Sequence, residues 1–233
     1  MKKNIFTVAA IILLASSFSY SQEIGLGADI YSRYVWRGLD FGDSPSFQPA
    51  VTFTVGGFSI GEWGAYSISG IGSVYSEDDL WASYAISTPK AGTFTLIGTD
   101  YYFPSAGKKY FSYKEDSTGA HTIEAGLSYS GPESFPITIS GYMNVFNDDD
   151  KTTYFEVSYP FTIKDVSGSV VVGATGGGDK VMYYGPTNFQ VINIGLSFSK
   201  DIVITDKFSL PISASVIVNP NIEQSYLIVG ISL

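Results

Sequence analysis

The sequence predicts an all-β protein: a transmembrane, antiparallel, up-and-down β-barrel of about twelve strands with both termini in the periplasm. Three observations point there. Apolar and polar residues alternate with a period of two along most of the chain. The alternating segments are mostly ten residues or longer, whereas strands of soluble sheets average ~5–6 residues and a tilted membrane strand needs ~9–11. The N-terminus carries an export signal.

That signal comes first in the chain. Lys2 and Lys3 form a positive n-region, Phe6 to Ala15 is an apolar run, and Ser19 and Ser21 are small residues before a cleavage point at Ser21/Gln22. The run is well short of the ~20 residues of a spanning helix, so residues 1–21 read as a signal peptide and 22–233 as the mature barrel. Loss of Lys2 and Lys3 takes the formal charge from −9 to −11.

Turn residues punctuate the mature chain into twelve segments: 23–36, 46–55, 57–69, 78–88, 92–103, 119–130, 135–146, 152–163, 166–175, 188–200, 204–218 and 223–233. Ten strands is the nearest other count. In the first, Ile24, Leu26, Ala28, Ile30, Tyr34 and Trp36 oppose Gly25, Gly27, Asp29, Tyr31 and Arg33. Later segments repeat the pattern, as in Ile123, Ala125, Leu127 and Tyr129 against Thr122, Glu124, Gly126 and Ser128. The apolar faces carry no charge over about ten residues each. Periodicity does not say which face is outside; the export signal and the strand lengths put the apolar face outward, toward lipid. A closed barrel also satisfies every backbone polar group internally, as hydrocarbon requires.

Connections alternate in length. The longer, more polar set is 37–45, 70–77, 104–118, 147–151, 176–187 and 219–222, and the mostly short set is Gly56-Gly57, Pro89 to Ala91, Gly131 to Ser134, Lys164-Asp165 and a loop near Lys200 to Val203. Outer-membrane barrels have short periplasmic turns and longer outside loops, so the longer set is expected outside. Aromatics near segment ends (Tyr34, Trp36, Tyr101, Tyr102, Phe103, Tyr142, Phe146, Tyr159, Phe161) suit interfacial girdles or plain strand propensity. Two residues resist the pattern. Glu62 interrupts the apolar face of Phe58, Ile60, Tyr66 and Ile68, as at a bulge or a shift toward the lumen. Pro211 sits inside a strand and should lose a ladder bond. The last strand, Tyr226 to Leu233, resembles the C-terminal signal read by the barrel-assembly machinery, with Leu233 where Phe is usual.

Composition excludes several classes. There is no cysteine, so disulfides and thiolate sites are out, and one histidine rules out a His-rich metal site. The acidic balance argues against nucleic acid. His121 would need an activated serine for hydrolysis, and no characteristic serine motif lies near it. Glu77-Asp78-Asp79 and Asp148-Asp149-Asp150 read as solvated loop charge, and Gly176-Gly177-Gly178-Asp179-Lys180 as an outside loop without the Gly-Lys-Ser/Thr of a phosphate loop. No catalytic residue, cofactor or metal is expected.

The stretch Tyr31-Ser32-Arg33-Tyr34-Val35-Trp36-Arg37-Gly38 resembles the opening strand of the TorF-type porins, a family once filed as Gcw_chp proteins of unknown function. Pro49-Ala50, Gly61-x-Trp63, Tyr101-Tyr102-Phe103-Pro104, Asn219-Pro220 and Gly230-Ile231-Ser232-Leu233 are similar to the family in the same order. The resemblance implies an outer-membrane barrel of the porin kind with no established substrate.

Asp29, Arg33, Glu62, Asp79, Glu124 and Glu156 are the expected lumen-facing ionisable residues, with Arg33 bridging several carboxylates. Two functions follow. One is a narrow polar channel for small hydrophilic solutes. The other is a plugged structural or adhesive barrel acting through loops 104–118 and 176–187. Outer-membrane lipid and the assembly machinery are the expected partners; the oligomeric state is open.

Overall fold

A computed structural model describes residues 22–68, 75–115, 118–176, 184 and 188–233. Residues 1–21, expected to be a signal peptide, and most of the glycine-rich loop expected at 176–187 lie outside the described residues. The described strands are β1 (Gln22–Tyr31), β2 (Tyr34–Trp36), β3 (Leu39–Phe41), β4 (Ser46–Val55), β5 (Phe58–Ser67), β6 (Ser76–Thr88), β7 (Gly92–Tyr102), β8 (His121–Ser130), β9 (Thr138–Phe146), β10 (Thr153–Ile163), β11 (Val166–Thr175), β12 (Gln190–Thr205), β13 (Phe208–Asn219) and β14 (Gln224–Ser232).

Twelve of these, β1 and β4 to β14, form one closed antiparallel barrel in sequence order, and β2 with β3 forms a separate two-stranded sheet. The ring closes where β1 meets β14, with Asp29, Ile30 and Tyr31 opposite Ser232, Ile231 and Gly230. Reciprocal backbone bonds between Ala28 and Leu233 (3.2 and 2.9 Å) extend that seam. Closure removes the sheet edges that an open sheet would leave unpaired.

Alternation sets the two faces. Ile24 and Leu26 are 71% and 80% exposed, and Leu80, Tyr84, Leu96, Leu127, Phe155, Val157, Ile194 and Val216 share that outer surface. An apolar surface running round the whole barrel far exceeds the patches that water-soluble monomers tolerate. Inside, the buried set is mostly polar: Gln48, Glu77, Asp79, Thr122, Glu124, Ser140, Asn144, Asn193 and Asn219. Among the described residues the buried apolar cluster is small, Tyr154, Tyr184 and Ile192, with Trp36, Leu39 and Tyr142 against it. The fold therefore rests on ladder bonds and side chains crossing the lumen, not on a central oily core.

Four expectations need correction. The first strand stops at Tyr31 instead of running to residue 36, and residues 34–41 turn back as the β2–β3 hairpin. Glu77, Asp78 and Asp79 lie within β6 and not in a loop, since the ladder continues through Asp79↔Trp63 and Asp78↔Gly64. Strand β12 runs on to Thr205, past the turn expected near Lys200 to Val203. Pro211 pairs with Asp201 of β12, whereas the pairing of β13 with β14 begins only at Ile212. On that side its missing N–H has no ladder partner to disappoint. Pro160 sits likewise just past Ser158, where the β9–β10 pairing ends.

Candidate functional site

The hairpin is the feature that makes the lumen a site. Tyr34, Val35 and Trp36 pair with Phe41, Asp40 and Leu39, leaving Arg37-Gly38 as a two-residue turn. Both turn residues have positive φ, 49° and 81°, as a type I′ hairpin demands. Gly38 is also required by space: a Cβ there would lie 2.0 Å from the carbonyl oxygen of Ile192 on β12. The side-chain amide of Asn219 on β13 donates to the Gly38 carbonyl at 3.1 Å, and Asn219 is itself held by accepting from the amides of Asn221 and Ile222. The tip is thus docked against the barrel wall.

Arg37 crosses the lumen from that tip. Its Nη1 and Nη2 reach the Glu124 carboxylate of β8 at 2.6 and 2.9 Å, a bidentate charge-assisted pair. Nη1 also donates to the Tyr184 hydroxyl at 2.5 Å. The guanidinium lies 4.3, 4.4 and 4.3 Å from the ring centres of Trp36, Tyr142 and Tyr154, within cation–π range. Tyr101 donates to Glu124 at 3.0 Å. Tyr154 donates to Glu156 at 2.7 Å and accepts from Asn193 at 3.0 Å. One arginine therefore ties the hairpin to β8, β9 and β10 through a network whose members are nearly all satisfied, the condition under which buried polar groups rigidify rather than destabilise.

The other expected residues are placed as follows. Asp29 shares the inner face of β1 with Tyr31. Arg33 precedes the hairpin and pairs with Asp40 and Asp43, and its side chain is 38% exposed. It meets none of Glu124, Glu156 and Asp29; Arg37 pairs with Glu124 instead, because the chain turns inward after Tyr31 and carries position 37, not 33, to that carboxylate, while Glu156 accepts from Tyr154. Asp79 is buried on the inner face of β6. Glu62 is not in the lumen. The pairings Val51↔Glu62 and Glu62↔Leu80 continue without a register shift, so Glu62 keeps the exposed outer face of Phe58, Ile60 and Tyr66. Nearby on that face, Tyr66 donates to Asp78.

The lumen differs on the two sides of the hairpin, with the first cavity below it. Ser167, Ser169, Ser197, Ser199, Ser213 and Ser215 line a cavity of 380 Å³ with Tyr31; Ser215 and Ser197 are 2.9 Å apart through their hydroxyls. Above, Arg33, Asp40, Asp43, Gln224 and Tyr226 border a wider vestibule of 690 Å³ between the hairpin and β14.

Several end-of-strand aromatics face inward. Tyr34 and Tyr101 are buried, and Trp36 and Tyr142 stack on Arg37, whereas Tyr159 is exposed outside. His121 lies beneath the loop before β8. Its Nδ1 is 2.8 Å from Asp100, its Nε2 meets the Tyr110 carbonyl, and Tyr113 stacks on the ring at 3.9 Å. Its two ring nitrogens thus face oxygen atoms of Asp100 and Tyr110. No group of acidic, histidine or cysteine side chains suited to a metal ion occurs among the described residues.

What sequence reading missed was convergence. Arg37-Gly38, Pro49-Ala50, Gly61-x-Trp63, Tyr101 and Asn219 lie far apart in the chain, yet Gly38 meets Asn219 and Ala50, Trp63 and Tyr101 line one cavity. The signal was present as scattered short motifs; their meeting point was not. The fold and site define a class, a closed twelve-stranded barrel with a resident lumen hairpin. No family model and no curated protein matches the chain.

Proposed function

We propose that this is an exported outer-membrane barrel of the porin kind, passing small hydrophilic solutes along a lumen constricted by its own hairpin. The observation that carries the reading is the polar interior: a hydroxyl-lined cavity on one side of the hairpin and a charged vestibule on the other, within a barrel whose outer face is apolar. Charged and hydroxyl side chains inside and apolar ones outside suit a barrel in lipid with a wet lumen. The reading includes removal of residues 1–21, both termini in the periplasm, assembly through the C-terminal strand and a place beside the TorF-type porins, which the motifs around Arg37-Gly38 and Asn219 support.

Planar-bilayer conductance of the refolded protein is the test. Small discrete steps are expected from the unaltered chain and larger ones from Arg37→Ala, which frees the hairpin tip. Silence from both favours the second reading, a closed structural barrel, for which the docked hairpin is the specific observation.

A further inference from the structure

A second aromatic box lies beside the Arg37 network. Tyr34, Trp36, Trp63, Trp81 and Tyr101 share a 450 Å³ cavity with Ala50, Thr52, Ile97, Thr99 and Asp79. The chain has three tryptophans, and all three are on this wall. The rings are fixed: Tyr34 packs on Trp63 at 5.3 Å and Trp36 on Tyr101 at 5.7 Å. Trp81 lies against Gly61, where a Cβ would come within 2.7 Å of the indole. Asp79 is 7% exposed, and its Oδ1 is buried with no hydrogen-bond partner. A buried carboxylate oxygen left unpaired is a costly arrangement that asks for an explanation.

The neighbouring network supplies the comparison. There a carboxylate, Glu124, and the faces of Trp36, Tyr142 and Tyr154 surround a cation, the Arg37 guanidinium. The second box repeats the parts, a carboxylate among aromatic faces, with Trp36 as the shared partition, but no Lys or Arg lines it. Glu77, a second acidic side chain buried on the same inner face, accepts from the Tyr75 hydroxyl at 2.8 Å. Rigid indole faces with an uncompensated carboxylate are the chemistry that recognises organic ammonium groups, and the volume falls within the ~300–1,000 Å³ of small-molecule sites.

We propose that this cavity binds a small organic cation of the quaternary or primary ammonium class, held by Trp36, Trp63 and Trp81 and paired to Asp79. The proposal deepens the channel reading by naming the solute class its lumen selects. Binding to the refolded barrel in detergent does not require passage, so its failure and a failure of conductance are separate results.

The experiment is a titration of the refolded full chain followed by tryptophan fluorescence, which reads this wall directly. Choline is the probe, with its neutral isostere 3,3-dimethylbutanol and glucose as comparisons. Choline is expected to give a saturable change, the isostere to bind about tenfold or more weakly, and Asp79→Asn to weaken choline by about tenfold, as loss of a charge pair in a desolvated site implies. Trp81→Leu should weaken choline while leaving heat-modifiable gel migration intact, which separates binding from folding. Equal binding of the isostere, unchanged affinity in Asp79→Asn, saturation by glucose in place of choline, or no saturable change with choline would each overturn the proposal.

Discussion

The tip and the base of the lumen hairpin are built from the same materials, an arginine and carboxylates, and they are held very differently. At the tip, Arg37 and Glu124 have side chains 8% and 5% exposed and are enclosed by aromatic faces. At the base, Arg33 is 38% exposed and its partners Asp40 and Asp43 are 12% and 69% exposed, so the cation itself stays in contact with water. The pairs look alike as contacts. Water decides their weight, because an exposed pair exchanges one solvation for another, while a buried cation that loses its partner leaves a bare charge behind. Much of the hold on the hairpin therefore lies at its tip, with its base a tether.

Arg37→Ala should have the largest effect. It leaves Glu124 buried without its cation, a loss of about 3–5 kcal/mol, so amides of residues 34–41 should exchange with deuterium at least ~100-fold faster. Adding Glu124→Gln should recover part of that protection, since the orphaned charge is gone. Unchanged exchange in Arg37→Ala would mean the tip is held by something other than this pair.

Gly38→Ala comes next. Its Cβ would strike the Ile192 carbonyl, and φ of 81° is a strained position for alanine. About 1–3 kcal/mol of docking should be lost, read by the same exchange experiment and by larger conductance steps. Protection equal to the unaltered chain would show that the tip does not sit against β12.

Arg33→Ala should move hairpin exchange by no more than ~1 kcal/mol in equivalent protection. A loss as large as that of Arg37→Ala would collapse the distinction between tip and base.

The smallest effect lies outside the hairpin, in the β9–β10 loop. Burial pushes the Asp148 carboxyl up, but hydrogen bonds from the side chains of Thr152 and Asn144 and from the amides of Thr152 and Asp150 outweigh it and hold the pKa below the ordinary 3.8. A depressed carboxyl contributes stability that is complete above its unfolded value and fades as pH falls through the folded one. Exchange in this loop should therefore rise below about pH 3.8, and Asp148→Asn should flatten that rise. An identical acid profile in the variant would remove Asp148 from the account.

Strand by strand, the barrel was legible because each strand states its own two faces through local alternation, which neighbours need not interpret. Glu62 shows the limit of that reading. A carboxylate on an apolar face suggested a shift inward, yet the ladder holds its register and keeps Glu62 outside. Residues 32–41 show a deeper limit. Tyr34 and Trp36 continue the parity of β1, so alternation alone extends the strand; the chain instead reverses at Arg37-Gly38, both at positive φ, and Gly38 rests on Ile192 and Asn219, more than 150 positions away. The acid run at 77–79 likewise reads as a loop until β5 and β7 are placed on either side of it.

The sequence by itself determined the all-β class, the twelve barrel segments and their apolar and polar faces, because these depend on a period of two that neighbouring residues enforce. Only the tertiary structure decided what occupies the lumen. Which arginine meets Glu124, and which aromatics gather around Asp79, depends on where closure brings distant strands and on how far one short hairpin reaches across the space they enclose.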